Sequence, residues 1–494
     1  MRPPSVTDGH AKNRSLPLST FIEMLMASWA PFTRARRVGP GSFLLPTTAM
    51  PPPIVLCLLL VLLAVPWSSC EAATAGTKPL LLSLRARQMP ARALPRQPSK
   101  LRFHHNVSLT VSLAVGTPPQ NVTMVLDTGS ELSWLLCAPS SRNATTTTFR
   151  PRASASFAAV PCASPQCRSR DLPSPPACDG ASRRCQVSLS YADGSSSDGA
   201  LATDVFAVGS SAAAGAPPLR AAFGCMSSAF DSSPDGVASA GLLGMNRGAL
   251  SFVSQASTRR FSYCISDRDD AGVLLLGHSD LPTFLPLNYT PLYQPARPLP
   301  YFDRVAYSVQ LLGIRVGSKH LPIPASVLAP DHTGAGQTMV DSGTQFTFLL
   351  GDAYAAVKAE FLRQTRPLPL LRALDDDEGP GFAFQEAFDT CFRVPRGRAP
   401  PAARLPRVTL LFNGAEMAVG GDRLLYKVPG ERRGGGDAVW CLTFGNADLV
   451  PIMAYVIGHH HQMNLWVEYD LERGRVGLAP VRCDVASERL GLML

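Results

Sequence analysis

No apolar run in this 494-residue chain reaches the roughly 20 residues needed to cross a bilayer. The longest, "IVLCLLLVLLAV" at residues 54–65, stops at twelve. That length argues against a helical membrane span and suits a signal-peptide core. The small residues of "PWSSCEAATA" behind it place cleavage near Ala73 or Ala75. The core begins directly behind Met50, so one reading starts translation at Met50, and the other keeps a long n-region charged by Arg34, Arg36 and Arg37. The chain also lacks any CxxC pair. Cys162, Cys167, Cys178 and Cys185 stand five, eleven and seven positions apart, a poor match to zinc-ligand spacing. Of the 12 cysteines, Cys57 and Cys70 belong to the leader, and the other ten, an even number spread over a large body, fit disulfides made in an oxidising compartment. Finally, the body carries almost no net charge. The formal +9 resides in the first 104 residues, and from residue 105 onward 33 Lys/Arg face 34 Asp/Glu. Nucleic-acid binding and attachment to an anionic surface are therefore not expected.

What the chain does have is a pair of matching stretches. "MVLDTGSELSW" (124–134) puts Asp127 behind an apolar run and ahead of a small-residue turn, and "TMVDSGTQFTF" (338–348) repeats the arrangement around Asp341. A single Asp-Thr-Gly reads as ordinary turn chemistry, with the Asp capping backbone N–H groups and Gly tolerating positive φ. An Asp-Ser/Thr-Gly triplet behind apolar residues is rare by chance, and these two lie 214 positions apart, about one domain's length. Each half of a folded unit would thus bring one carboxylate to a shared seam. Two further apolar-apolar-Gly stretches, "AGLLGMNRG" (240–248) and "AYVIGHHHQ" (454–462), follow the two aspartates at similar distances, with the second strand of each half expected to pass beside its Asp loop.

Two carboxylates brought together cannot both ionise cheaply and would share one proton. The ionised member can take a proton from water while the protonated member polarises a carbonyl, which is general acid–base chemistry on an amide without metal or cofactor. Gly129 and Gly343 would let the backbone approach the carboxylates, and Ser130 and Thr344 would hydrogen-bond them. The triple "HHH" at 459–461 raises a metal site as an alternative, but adjacent histidines on a strand cannot all face one ion.

The rest of the pattern is short strands punctuated by turns, among them "NVSLTVSLAVGTPPQNVTMVLDTG", "CQVSLSYADG", "AGVLLLG", "YSVQLLGIRVG" and "WVEYD". The fold class expected is all-β with few helices, the best helical candidates being 248–257 and 351–364. Domain organisation follows: a leader at 1–75, a basic, proline-spaced segment at 76–104 read as removable or as a linker, one half at 105–300 and another at 301–487, joined through 294–304. Asn106, Asn121, Asn143 and Asn288 stand in Asn-X-Ser/Thr tripeptides, which with the signal core and the cysteines favours the secretory pathway, meaning endoplasmic reticulum or extracellular space.

These motifs, together with "YADGSS" at 191–196, resemble the pepsin-type aspartic proteases from about residue 106 to Cys483. The cysteine-rich insertion between Asp127 and Tyr191 is similar to the plant, nepenthesin-like branch, and "VIGHHHQMNLWVEYDLERGRVGLAPVRCD" is similar to a cell-survival-promoting member of it, which implies a part in programmed cell death. The resemblance implies a bilobal fold of two β-barrel lobes, with a cleft that takes an extended polypeptide like an added strand. It implies that Asp127 and Asp341 activate water, that Thr128 and Ser342 lock the loops together, and that Tyr191, Asp193 and Gly194 lie on a flap with Trp134 hydrogen-bonded beneath Tyr191. A tyrosine that merely packs at a strand end is the plainer reading of Tyr191. The resemblance also implies a Cys391–Cys441 disulfide, and a monomeric zymogen is expected, its basic segment 76–104 covering the cleft before maturation with Lys78 or Lys100 facing the acids. Ser342 stands where Thr is commoner, Cys137 is alone where the branch often has several cysteines, and the long saposin-like insertion of vacuolar relatives is missing. A binding or inhibitor protein on the same fold, with catalysis lost, is the competing reading.

Overall fold

The computed structural model describes residues 79–88, 107–137, 148–170, 172, 174–192, 194–207, 218–230, 239–278, 286–374, 382–450 and 452–492, all within the compact unit Thr74–Leu494. The signal core, Met50, Lys78, Lys100, Asn106, Asn143 and Asp193 fall outside them. Among the described residues strands dominate, and the longest α-helix is Gly351–Thr365, with 15 residues. The other expected helix shrinks to Phe252–Gln255, because Ser251 caps it by accepting from Ser254 N–H and the glycine-led residues before it turn instead of coiling.

A 15-stranded sheet carries the first half. It runs 288–291, 475–480, 465–470, 260–264, 272–276, 80–88, 107–115, 120–127, 241–244, 134–136, 219–230, 196–207, 185–190 and 177–178, with 158–159 beside 196–207. The segment Leu80–Gln88 lies inside the basic stretch 76–104 that the sequence reads as removable or as a linker. It is an interior strand, antiparallel to Gly272–Leu276 on one side and to Val107–Val115 on the other. The cause is visible in "LLLSLRARQ": Leu82 and Leu84 alternate into the core, while Arg85 lies exposed. Counting only the basic charge of this segment hides that period.

The second half repeats the local topology of the first. Around Asp127, Gln120–Asp127 pairs parallel with Gly241–Gly244, which pairs antiparallel with Trp134–Leu136, which pairs parallel with Leu219–Phe230. Around Asp341, Thr338–Val340 pairs parallel with Tyr455–Ile457, which pairs antiparallel with Thr347–Leu349, which pairs parallel with Phe444–Asn446. In both halves the apolar-apolar-Gly strand therefore lies directly against the strand that leads to the aspartate. The two halves are stitched together. Leu465–Asp470, from the C-terminal half, pairs with Arg260–Cys264, and the Cys264–Cys483 disulfide joins positions 219 apart. Buried Trp466 and Leu275 pack beside that bridge. Four more disulfides, Cys137–Cys225, Cys162–Cys178, Cys167–Cys185 and Cys391–Cys441, account for the rest of the ten body cysteines.

Candidate active site

Each aspartate ends, or directly follows, a short buried strand that cannot continue, because the next residues are a hydroxyl side chain and glycine. Both carboxyls are nearly closed off, Asp127 at 6% and Asp341 at 9% exposure. Within each loop the supporting bonds match. Asp127 Oδ1 accepts from the N–H of Gly129 at 2.8 Å and of Ser130 at 3.2 Å, and its Oδ2 accepts from Ser130 Oγ at 2.5 Å. Asp341 Oδ1 accepts from Gly343 N–H at 2.8 Å, and its Oδ2 from Thr344 Oγ1 at 2.6 Å.

The loops meet across the seam. Thr128 N–H donates to Ser342 Oγ at 3.0 Å, and Ser342 N–H donates to Thr128 Oγ1 at 2.9 Å. Each hydroxyl then donates onward into the opposite half, Ser342 Oγ to Leu126 O at 3.0 Å and Thr128 Oγ1 to Val340 O at 3.4 Å. The clasp needs only hydroxyls, so serine at 342 serves as well as threonine would. The glycines allow the final approach: a Cβ on Gly343 would stand 2.3 Å from Asp127 Oδ1, and one on Gly129 2.9 Å from Asp341 Oδ1. Each loop's glycine thus makes room for the other loop's acid.

Burial raises the Asp127 pKa to about 7, the Asp341 charge adds to the rise, and the Ser130 and Gly129 donors oppose it. The two carboxyls face one another: the one point where Gly129 would carry a Cβ lies 2.9 Å from Asp341 Oδ1 and 3.2 Å from Asp127 Oδ1. A pair so placed holds one proton between its members.

Tyr191 begins the tip of the hairpin formed by Cys185–Ser190 and Ser196–Ala207. Its N–H donates to Ser195 O at 2.9 Å, and Gly194, at φ +82°, closes the turn by donating to Tyr191 O at 3.0 Å. Trp134 Nε1–H donates to the Tyr191 hydroxyl at 2.7 Å, which ties the hairpin tip to the strand that follows the Asp127 loop. The histidines occupy a 3-10 turn, His459–Gln462, instead of a strand. Their rings diverge: His459 Nδ1 meets Ser342 O at 3.1 Å, His460 Nε2 meets Arg423 O at 3.2 Å, and His461 bridges the hydroxyls of Thr347 and Thr443 at 2.7 Å each. Among the described residues, no group of three or more His, Cys, Asp or Glu side chains could hold a metal ion. Asn121 and Asn288 are exposed.

Several supporting residues escaped the sequence reading. Ser133 Oγ accepts from Gly244 N–H at 3.0 Å, and Thr347 Oγ1 accepts from Gly458 N–H at 3.2 Å, so each half ties its apolar-apolar-Gly strand to the loop by the same device. Gln462 Nε2 donates to Asp341 O at 3.2 Å, and its Oε1 accepts from buried Tyr263, whose hydroxyl meets that of Tyr469 at 3.0 Å. Setting "DTGSELSW" above "DSGTQFTF" pairs Ser133 with Thr347 and Glu131 with Gln345. That eight-residue alignment was the available signal.

Residues 109–278 match the family described as xylanase inhibitor N-terminal, and residues 306–480 the one described as xylanase inhibitor C-terminal. The chain belongs to the plant pepsin-like aspartic proteases, a bilobal all-β family. It is 54% identical to aspartic proteinase PCS1 of Arabidopsis thaliana over 419 residues, covering 84% of this chain and 90% of that one. It is 32% identical to aspartic proteinase nepenthesin-2 of Nepenthes gracilis, covering 76% and 77%, and 32% identical to aspartyl protease family protein 2 of Arabidopsis thaliana, covering 81% and 77%.

Proposed function

We propose that Asp127 and Asp341 are the catalytic pair of an aspartic-type endopeptidase and that they share one proton in the resting enzyme. The observation that carries this reading is the two-way clasp of Thr128 and Ser342, which brings two nearly buried carboxyls face to face across the Gly129 and Gly343 backbone. In the reaction, water attacks the scissile carbonyl carbon. The ionised carboxylate takes a proton from that water, and the protonated carboxyl gives its proton to the carbonyl oxygen, which forms a gem-diol. Transfer of a diol proton to the carboxylate and of a carboxyl proton to the amide nitrogen then breaks the C–N bond, releasing an acid and an amine and leaving the pair with one proton again. The substrate is an extended polypeptide, with Tyr191 closing over it from the hairpin tip.

A binding protein on this fold is the other reading, and the xylanase-inhibitor wording of the matched families keeps it in view. Binding alone has no use for both acids with both flanking hydroxyls and both close-approach glycines, all of which are in place. Secretion, a part in programmed cell death, and Asn121 and Asn288 as glycan carriers complete the proposal. The test is cleavage of an unfolded protein at acid pH by the purified enzyme and its Asp127→Asn variant. Loss of at least about 1,000-fold in kcat is expected for the variant. Cleavage that survives the substitution rejects the reading.

A further inference from the structure

The peptide group between Ser342 and Gly343 is hydrogen-bonded at both ends. Its N–H donates to Asp341 Oδ1 at 2.8 Å, and its carbonyl lies 3.1 Å from His459 Nδ1. A carbonyl oxygen can only accept, so Nδ1 must carry the hydrogen. The result is a short chain, imidazole N–H to carbonyl, then peptide N–H to carboxylate, in which each bond polarises the next. The ring is fixed in place. His459 is 3% exposed, its own N–H donates to Thr344 O at 2.8 Å, and the following His460 N–H donates to Gln345 O at 2.9 Å. The residue after the corresponding glycine in the first half is Met245, whose thioether cannot donate. The first-half carboxyl has three donors from its own loop and the second-half carboxyl two.

We propose that His459 is a positioning residue of the dyad, strengthening the Gly343 N–H donor through the Ser342–Gly343 peptide and so favouring the singly ionised pair in acid. This rests on the protease reading of Asp127 and Asp341. The titratable groups around the turn are the dyad itself, His460 and His461 beside it, Arg423 on the short helix Gly421–Leu424, and Tyr263 and Tyr469 on the sheet. Burial holds His460 down to about 4 and His461 well below its ordinary value, and it pushes both tyrosines up, so the tyrosines stay neutral in acid while His460 takes up its proton there equally in wild type and variants.

The test compares His459→Met, which installs the residue used in the first half, with His459→Asn, whose side-chain amide can donate from nearly the position of Nδ1. The readout is kcat/KM against pH for cleavage of an unfolded protein. His459→Met should raise the midpoint of the acid limb by about half a pH unit, about a threefold loss of activity below it. His459→Asn should stay within about 0.1 unit of wild type. A folded His459→Met enzyme with an unmoved acid limb overturns the proposal, as does His459→Asn shifting as far as His459→Met. If His459→Met does not fold, nitrogen-15 chemical shifts of the wild-type imidazole decide: hydrogen on Nδ1 supports the relay, and a bare Nδ1 refutes it. Wild-type enzyme without cleavage, or cleavage that persists in Asp127→Asn, would instead fail the protease reading, and the two failures stay distinct.

Discussion

The Asp127 and Asp341 loops follow one eight-residue plan and diverge in what stands behind it. Both have a carboxyl, a clasping hydroxyl, a close-approach glycine, a hydroxyl on the carboxyl and, in the seventh place, a hydroxyl that holds the neighbouring glycine strand. In the first loop the eighth residue is Trp134, which reaches the hairpin tip; in the second it is Phe348, buried against Phe388 at 5.4 Å. Glu131 serves its own half by accepting from Leu250 N–H at 2.8 Å, whereas Gln345 reaches the other half, accepting from Val107 N–H at 3.3 Å. Met245 follows the glycine in one half and His459 in the other. Elements that face the seam are held in common because each must fit its copy. Elements that face away are free to specialise, one half toward the hairpin tip and the other toward a polar backing.

The largest effect that can sharpen this comparison is the pH dependence of stability. The folded-state pKa of Asp127 lies above its ordinary value of 3.8, at about 7, so the folded protein holds a proton that the unfolded chain releases. The stabilisation is complete below about pH 4 and is lost as pH rises through about 7, at most about 4 kcal/mol. Urea melts from pH 4 to 8 should show that decline in wild type and a flatter profile in Asp127→Asn. An equally steep profile in the variant would show that other groups cause it.

Next in size are the clasps. Thr128→Val and Ser342→Ala each strip the acceptor from one buried N–H, for a loss of about 1–3 kcal/mol apiece in chemical denaturation. The double variant should cost less than the sum, because the two bonds share one interface. A near-zero cost for one alone would break the equivalence of the loops at the seam. Smallest is Trp134→Phe, which gives the first loop the ring class of the second. It removes the bond to Tyr191 and should lower kcat/KM about three- to tenfold with little change in melting temperature. An unchanged kcat/KM would detach the hairpin tip from catalysis.

Much of this was legible in the residues. The two Asp-hydroxyl-Gly triplets and the two apolar-apolar-Gly strands are local patterns, and the strand pairing around each aspartate follows from them. The strand at 80–88 was not legible, since its basic and proline-spaced surroundings masked a Leu82/Leu84 alternation that acquires meaning only between 272–276 and 107–115. Nor were the histidines, because a 3-10 turn sends consecutive side chains to different partners, and those partners, Ser342, Arg423 and Thr347, are 117, 37 and 114 positions away.

The order of residues alone set the repeated loop chemistry, the short-strand architecture and the even complement of body cysteines, because each is written in neighbours along the chain. Only the folded molecule decided how the cysteines other than Cys391 and Cys441 pair, which strands bind the halves together and that an imidazole stands one peptide behind Asp341. Those depend on contacts between distant positions, where burial and hydrogen-bond geometry select one arrangement from many that local pattern permits.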